Sequence, residues 1–354
     1  MRKQKNYSDG ICDGFEPLQS LDLNKVKDFD ELAKAMSMTG FGGRRLGEAV
    51  DTLYEMVMDP DCFVVGTFSG AMTPAKMGLL ICDMIDQGMI NAMVSTGALM
   101  THGMIEATGM THFKYKEGQS TDAELYKKGY NRIYDVLELE KNLDDLDLMV
   151  YDMLDELDPK EVLSSRTLCQ HLGKSISKKM GGRGILISAY KKGIPIYIPA
   201  FTDSELGLDF ATTNRVRARE GKELFQYNPF IDLEHFADLM QEKKQAGIFT
   251  IGGGVPRNWA QQVGPYLDYL EKRLGDTGKA FRYKYGVRIC PEPVHWGGLS
   301  GCTYSEGVSW GKFVPRKEGG KTTEVMADAT IAWPIILKAV MQRIKKNRKN
   351  KKRK

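Results

Sequence analysis

Short apolar runs rich in β-branched residues recur along the chain, separated by segments with helical periodicity. The runs are punctuated by Gly and Pro, which is typical of buried strands in a parallel sheet. They occupy residues 62–66, 92–95, 184–188, 194–198, 247–251 and 283–289. Helical segments lie between them at 72–87, 161–180 and 233–244. The alternation predicts an α/β fold with a doubly wound, mainly parallel sheet and helices on both faces.

The length and composition fit one large catalytic domain with short appendages. The chain has 354 residues, of which 42% are hydrophobic, and this is enough to bury a sizeable core. We expect an N-terminal helical extension over residues 1–58, a catalytic domain over 59–342 and a basic, disordered tail over 343–354. The stretch 204–229 has few apolar clusters and is expected to be a connecting excursion.

The net charge of +4 comes from the C-terminal tail. Residues 343–354 carry nine positive charges, so the rest of the chain has a net charge of −5. A mildly acidic body suits a cationic small substrate better than nucleic acid. The tail lacks aromatic residues for base stacking and indicates a solvated end, with loose attraction to RNA or an acidic protein as the alternative.

Targeting and metal-binding patterns are absent from the sequence. No run of about eighteen uncharged apolar residues occurs, and the polar residues 1–6 are not followed by an apolar signal segment. The six cysteines include no CxxC pair, and the five histidines form no HExxH pattern. We therefore expect a soluble, cytoplasmic protein with reduced thiols, no membrane association and no metal ion.

Three glycine-containing segments follow predicted strands and could hold a ligand at the carboxyl edge of the sheet. They occupy residues 65–71, 95–98 and 251–255. A glycine at a strand end lets a ligand approach the backbone, and Ser or Thr hydroxyls with amide N–H groups can bind phosphate or ribose. None of the segments matches GxGxxG or a Walker A sequence, so a tight packing turn is an equal alternative for each.

Lys312 lies in a segment, Glu306-Gly-Val-Ser-Trp-Gly-Lys312, that suits a reactive amine. A lysine becomes a nucleophile only when its ammonium loses a proton, and desolvation or nearby positive charge favours this loss. Trp310 can supply an apolar wall, Gly311 permits close backbone approach, and Glu306 could hold a cationic substrate. The alternative for any single lysine is an amphipathic side chain at a surface turn.

Several ordered motifs make the chain resemble the deoxyhypusine synthase family. Residues 305–312 are similar to the family's active-site lysine motif, and residues 325–334 are similar to its downstream nucleotide segment. Further family landmarks follow in order as Val94-Ser-Thr-Gly97, Gly129-Tyr-Asn131-Arg-Ile133, Ile198-Pro-Ala-Phe-Thr-Asp203 and Ile251-Gly-Gly-Gly-Val255. The resemblance covers about residues 20 to 342.

The resemblance implies a Rossmann-like, NAD-binding fold and a covalent transfer reaction. In the family, NAD takes a hydride from the carbon beside a secondary amine of spermidine, and an active-site lysine captures the aminobutyl group as an imine. An acceptor amine, a translation-factor lysine, then receives the group. Lys312 would be the nucleophile, Glu306 a cation-binding carboxylate and Trp310 a wall along the alkyl chain. The family also implies homotetramers with active sites shared across a dimer interface.

The residues that the resemblance assigns to NAD lie mostly at the predicted strand ends. They are Thr67, Ser69, Thr96, Gly97, Asp203, Gly253, Gly254, Ser300 and Asp328. Asp203 would lie beside the nicotinamide. Asp203 and Asp328 could instead cap helices, which is an ordinary role for Asp at strand-to-helix turns.

The chain departs from the family at positions that would contact spermidine or accept its proton. Asn258 replaces a histidine, Thr101 and His102 replace paired glutamates, and Leu208 replaces an aspartate. Buried ammonium groups need carboxylate partners, so these changes predict a different amine substrate. Asn258 cannot act as a base, whereas the imidazole of His102 or His295 could. A hydrogen-bonded pocket histidine is the alternative for either residue.

Three functions are open from the sequence. The first is NAD-dependent aminoalkyl transfer through Lys312, from a polyamine to a translation-factor lysine or, as in homospermidine formation, to a free polyamine. The second is a plain NAD-dependent amine dehydrogenase in which Lys312 has a structural or charge-repelling role. The third is a nucleotide-binding protein that keeps the fold without the activity.

Overall fold

Strands and helices alternate along most of the chain in the computed structural model, which describes residues 7–180, 182–275 and 281–351. In chain order, the strands are β1 (Cys62–Phe68), β2 (Ala92–Val94), β3 (Phe113–Lys114), β4 (Tyr130–Ile133), β5 (Val136–Leu139), β6 (Val162–Leu163), β7 (Ile196–Tyr197), β8 (Gln226–Tyr227), β9 (Gln245–Ile251), β10 (Tyr285–Ile289) and β11 (Lys321–Val325). The α-helices are α1 (Phe29–Ser37), α2 (Phe41–Met58), α3 (Gly78–Asp86), α4 (Gly97–Ala107), α5 (Asp122–Lys127), α6 (Glu140–Asp155), α7 (Ser165–Lys179), α8 (Ile185–Lys192), α9 (Glu205–Arg219), α10 (Phe230–Gln241), α11 (Gly254–Gln261), α12 (Val263–Leu274), α13 (Tyr304–Ser309) and α14 (Ala329–Lys351).

A parallel sheet with the strand order β7-β2-β1-β9-β10-β11 forms the centre of the molecule. The chain adds β2 and β7 on one side of β1, and it then adds β9, β10 and β11 on the other side. Doubly wound dinucleotide-binding sheets have this order, which opens a crevice beyond the carboxyl ends of the two strands where the winding reverses. Here those strands are β1 and β9. The prediction of an α/β fold with a mainly parallel sheet is confirmed.

Helices cover both faces of the sheet, and strand side chains alternate between two hydrophobic cores. On β1, Val64 and Phe68 face the larger core, whereas Val65 faces the smaller one. The larger core also contains side chains of α1, α2 and α14, among them the fully buried Trp333. The helices of the predicted N-terminal extension are therefore part of the main core rather than an appendage to it.

The C-terminal segment differs from the prediction of a disordered tail. Residues 343–351 form the last turns of α14, and 352–354 lie outside the described residues. Arg343 Nε lies 2.6 Å from Asp30 Oδ1, and Arg343 Nη1 lies 2.6 Å from Asp51 Oδ1. The prediction was wrong for residues 343–351, because they continue a helix whose Arg343 is paired with carboxylates of α1 and α2.

Two further segments have a different secondary structure from the predicted one. Residues 184–188 were predicted as a strand but form the N-cap and first residues of α8, which is followed by Gly193 in the left-handed conformation. Residues 185–189 of α8 are all buried, so no polar face reveals the helical period in this run. Residues 204–229 contain α9, on which the buried Leu206 and Phe210 recur at helical spacing.

The chain between α4 and α7 carries a small antiparallel sheet with the order β3-β5-β4. Leu137 of β5 pairs with Phe113 of β3 and with Arg132 of β4. The next residue of β5, Glu138, lies against α4, where its Oε2 is 3.3 Å from His102 Nδ1. The small sheet therefore supports a side chain of α4 that lines the cavity described below.

Disulfides and membrane-spanning helices do not occur among the described residues. The six cysteines are free thiols. The helices in the described part of the chain lack the combination of length and apolar character that a bilayer-spanning segment needs.

Candidate functional site

A cavity of about 760 Å³ lies beyond the carboxyl ends of β1, β2 and β7, and is termed here the strand-end cavity. Its position matches the crevice that the strand order predicts. The first residues of α11, which follow β9, also line it. Its polar lining residues are Ser69, Thr96, His102, Thr202, Asp203, Ser204 and Glu205.

The N-termini of α4, α9 and α11 meet at the strand-end cavity. Thr96 caps α4 by accepting a hydrogen bond from the N–H of Leu99 (3.3 Å), and Ser204 caps α9 by accepting one from the N–H of Gly207 (3.2 Å). Val255, in the first turn of α11, lines the cavity. Helix N-termini carry positive partial charge and free N–H groups, so the cavity suits an anionic group such as a pyrophosphate.

Ser69 joins the ends of β1 and β9 at the point where the winding reverses. Its hydroxyl donates to the carbonyl of Ile251 (3.1 Å) and accepts from the N–H of Gly253 (3.1 Å). A Cβ at Gly253 would lie 2.7 Å from the Cα of Ser300. Glycine therefore permits the backbone of the triple-glycine turn to contact the segment around Ser300, and three of the predicted cofactor residues come together.

Gly97, Asp203 and Gly254 also lie at this edge of the sheet. A Cβ at Gly97 would lie 2.0 Å from Ser204 Oγ, so glycine allows α4 to approach the start of α9 closely. Asp203 is exposed and lines the cavity. Gly254 begins α11 with a φ of 60°. The structure thus brings most of the predicted cofactor residues to one edge of the sheet.

Two predicted cofactor residues, Thr67 and Asp328, have side chains that form hydrogen bonds outside the lining of the strand-end cavity. Thr67 is 1% exposed, and its hydroxyl donates to Thr250 Oγ1 inside the sheet (2.8 Å), so we remove Thr67 from the cofactor set. Asp328 lies just before α14 and accepts a hydrogen bond from the N–H of Thr330 (2.8 Å). This is the helix-capping role that the sequence left open for Asp328.

Lys312 lies beside α11 and is not among the residues that line the strand-end cavity. Its Nζ donates to Asn258 Oδ1 (3.3 Å) and lies 6.0 Å from the centroid of the Trp310 ring. Burial lowers the pKa of the Lys312 ammonium from its usual value of 10.5, and the Arg257 guanidinium lowers it further. Helix α11 connects the two regions, because Val255 lines the cavity and Asn258, one turn later, contacts the lysine.

Glu306 caps its own helix. Its carboxylate accepts hydrogen bonds from the N–H (2.5 Å) and the hydroxyl (3.1 Å) of Thr303, whose hydroxyl accepts from the N–H of Glu306 (3.2 Å). These bonds lower the pKa of Glu306, and the bond from the Thr303 N–H has the largest effect. The carboxylate that the sequence assigned to a cationic substrate is therefore held at the start of α13.

Glu205 is a cavity residue that the sequence analysis missed. It is the first residue of α9, and its Oε2 is buried without a hydrogen-bond partner among the described residues. The pKa of the nearby Asp209 is raised to about 7, mainly by burial and further by the charges of Asp147 and Glu205. A buried carboxylate oxygen without a partner favours a cationic ligand. The available sequence signal was an acidic residue directly after Ser204, which is the N-cap.

Comparisons with known proteins agree with this architecture. The family model for deoxyhypusine synthase matches residues 31–340. The chain belongs to the deoxyhypusine synthase family. A probable deoxyhypusine synthase 2 from Methanosarcina acetivorans is 33% identical over 320 residues, which cover 90% of this chain and 88% of that protein. A probable deoxyhypusine synthase 1 from the same organism is 35% identical over 330 residues, which cover 93% of this chain and 96% of that protein.

Family membership defines the class of the protein. The crystal structure of a proposed deoxyhypusine synthase from Entamoeba histolytica shares the fold, with a TM-score of 0.57 and 14% identity over 91% of this chain and 96% of that one. Deoxyhypusine synthases are transferases, and the chain is accordingly an enzyme of this class. Its membership supports aminobutyl transfer to a lysine.

Proposed function

We propose that the protein is an NAD-dependent aminoalkyl transferase that acts through an imine on Lys312. The donor is a polyamine, such as spermidine or a related amine, and the acceptor is a translation-factor lysine or a second polyamine. The half-buried Lys312 amine, held between Asn258 and Trp310, is the observation that carries this proposal. Burial favours its neutral form, which is the form that attacks an electrophilic carbon.

The residues at the strand-end cavity fit a dinucleotide. Helix N-termini would hold the pyrophosphate, and the triple-glycine turn, which packs against Ser300 at Gly253, lies at the same edge of the sheet. NAD, when bound, would accept a hydride from the carbon beside the donor amine and later return it. We assign to NAD binding Ser69, Thr96, Gly97, Asp203, Gly253, Gly254 and Ser300, and we leave Asp328 as the cap of α14.

Carboxylates at the same cavity would bind the cationic donor. Glu205 and Asp203 both line it, and the Oε2 of Glu205 is buried. Each ammonium that enters such a cavity needs an anionic partner, because an unpaired buried charge is costly. Trp310 would lie along the alkyl chain near Lys312 and could also stabilise a cation over its ring.

The active site would be completed by assembly. Lys312 is not among the residues that line the strand-end cavity of its own chain. Trp310 and Val255, close in sequence to Lys312 and Asn258 respectively, are 68% and 47% exposed. We therefore keep the prediction of a homotetramer with active sites at a dimer interface, and sedimentation analysis can check the oligomeric state.

Borohydride trapping tests the proposed function. The protein is incubated with NAD and spermidine, reduced and digested, and the peptides are mapped by mass. We expect an aminobutyl adduct on the peptide that contains Lys312 and no more than one NADH for each adduct, because borohydride reduces the imine before NADH can return its hydride. Net NADH without an adduct would instead support an amine dehydrogenase, which the position of Lys312 outside the cavity lining also allows. Parallel reactions with putrescine and agmatine, with and without an acceptor protein, identify the donor and acceptor.

Asn258→Asp should slow transfer at pH 7 to 8 by at least about tenfold. The new carboxylate would lie next to the Lys312 ammonium, stabilise its charged form and raise its pKa. The rate should therefore recover as the pH rises, whereas Asn258→Ala, which removes the contact without adding charge, should show no alkaline recovery. Equal pH–rate profiles for Asn258→Asp and wild type would show that deprotonation of Lys312 does not limit the reaction.

A further inference from the structure

A polar network behind the strand-end cavity joins His102 to a buried carboxylate. Glu138 is 0% exposed, and its Oε1 accepts hydrogen bonds from the N–H of Leu139 (3.0 Å) and from Asn142 Nδ2 (2.6 Å). Its Oε2 lies 3.3 Å from His102 Nδ1 and 2.5 Å from His112 Nε2. Burial raises the pKa of Glu138, but these contacts outweigh burial and lower the pKa to about 2. The carboxylate is therefore anionic at neutral pH.

Lys76 determines the proton positions in this network. Its Nζ lies 3.1 Å from His112 Nδ1, and an ammonium can only donate a hydrogen bond. His112 Nδ1 therefore accepts, and the ring proton lies on Nε2, which faces Glu138. The same carboxylate oxygen accepts a hydrogen bond from the Nδ1 proton of His102. With the ring proton on Nδ1, His102 Nε2 keeps a free lone pair. Because His102 lines the strand-end cavity, this lone pair can accept a proton from a ligand there.

We propose that His102 is the proton acceptor for the donor amine and that Glu138 positions it. This inference rests on the aminoalkyl transfer proposed above. A secondary ammonium must lose an N–H proton before its neighbouring C–H bond is cleaved, because the nitrogen electron pair must form the C=N bond. His102 Nε2 takes that proton, the electron pair stays on the amine nitrogen, and Glu138 stabilises the resulting imidazolium. Asn258, beside Lys312, has no group that could accept the proton.

Other ionisable groups lie in this region, and a test must distinguish their effects on His102 from the effect of Glu138. Asp203 and Glu205 line the same cavity as His102 and would also favour its charged form. Glu106 lies 4.0 Å from Lys76 and thus acts on the far end of the network. Glu138 is the carboxylate that contacts a ring nitrogen of His102. The matched control for Glu138→Gln is therefore Glu205→Gln, which removes a charge from the cavity without that contact.

Nitrogen-15 NMR of the free protein tests the network without turnover. At pH 8, wild-type His102 should carry its proton on Nδ1 and none on Nε2. Glu138→Gln should lose this single tautomer, because a neutral amide holds the Nδ1 proton less strongly, whereas Glu205→Gln should keep it. A wild-type His102 with its proton on Nε2 would overturn the proposal.

The pH dependence of single-turnover rates tests the catalytic part. Removal of a neighbouring negative charge disfavours the imidazolium, so Glu138→Gln should move the acid limb of the profile to lower pH. His102→Gln should abolish that limb and slow the reaction by about 10²-fold or more, and it serves as the second variant if Glu138→Gln does not fold. His171→Gln alters a histidine that does not line the strand-end cavity and should match wild type. An acid limb that neither variant changes would refute the inference.

A bound metal ion is the alternative that this test also covers. His102, His112 and Glu138 offer ligand atoms within 4.8 Å of one another, and His112 Nε2 has no aligned hydrogen bond among the described residues. The ammonium of Lys76 at His112 Nδ1 argues against a metal, since a metal-bound histidine uses that nitrogen as a donor. One equivalent of transition metal in the purified protein, with loss of turnover on chelation, would overturn the inference, whereas full activity without metal supports it.

Different experimental outcomes would refute this inference and the proposed function. A wild-type protein with the expected His102 tautomer but without any aminobutyl adduct would refute the transfer itself. Transfer that proceeds normally in Glu138→Gln and His102→Gln would refute only the proton-accepting role.

Discussion

Lys312→Ala is expected to reduce aminoalkyl transfer by at least about 10³-fold, because it removes the nucleophile outright. NAD affinity should stay within a few-fold of wild type, since Lys312 is not among the residues that line the strand-end cavity. Single-turnover kinetics and calorimetric titration with NAD measure the two quantities separately. A large loss of NAD affinity would show that Lys312 belongs to the nucleotide site instead.

Lys312→Arg should be as inactive as Lys312→Ala. A guanidinium keeps the positive charge and most of the length of the side chain, but it stays protonated and cannot form an imine. Lys317→Ala is the matched control, because Lys317 is an exposed lysine close by in sequence and should turn over normally. Retained transfer by Lys312→Arg would remove covalent catalysis from the mechanism, and charge alone would then explain the role of the lysine.

Arg343→Ala should lower the free energy of unfolding by about 3 kcal/mol, at the low end of the range for a broken buried ion pair. Its guanidinium contacts Asp30, which is 0% exposed, and removal leaves part of that buried charge uncompensated. The low end applies because Lys34 and Lys346 still contact Asp30. Arg348→Ala, at an exposed position of the same helix, should change the stability by less than about 0.5 kcal/mol. Urea denaturation of both variants measures the difference, and equal midpoints would contradict the role of Arg343.

The effect of Arg343→Ala should depend on pH. Burial raises the pKa of Asp30, but hydrogen bonds from Arg343, Lys34 and Lys346 outweigh it and hold the pKa below its usual value of 3.8. A carboxyl group with a depressed pKa in the folded state stabilises the fold above its unfolded value and loses this contribution as the pH falls through the folded value. The stability difference between wild type and Arg343→Ala should therefore be full at neutral pH and narrow below about pH 4.

Much of the fold follows from local patterns in the sequence. The runs at 62–66 and 247–251 became β1 and β9, because consecutive β-branched and apolar residues between glycines favour a strand buried on both faces. The same rule failed at 184–188, because residues 185–189 of α8 are all buried and this apolar run shows no helical period. The edge strand β11 was missed because its Lys-Thr-Thr-Glu-Val sequence is largely polar.

The sequence by itself determined which segment is proposed to carry the reactive lysine. The neighbourhood of Lys312 and Trp310 and the glycines at the strand ends are local features, since a few adjacent residues define the turns in which they lie. The order of these motifs along the chain also identified the family. Local patterns did not show that the hydroxyl of Thr67 is directed into the sheet or that Glu306 caps α13, because both outcomes depend on which polar group lies nearest in the folded chain.

Only the tertiary structure decided which distant side chains meet. Glu138 contacts His102 across 36 residues, and Arg343 contacts Asp30 across 313 residues. Propensities and periodicity describe the free energy of short segments, whereas such contacts depend on which strands and helices pack side by side. A basic C-terminus therefore indicated disorder until α1 and α2 supplied carboxylates for Arg343. Likewise, His102 was one histidine among five until the fold brought the buried Glu138 within 3.3 Å of its ring.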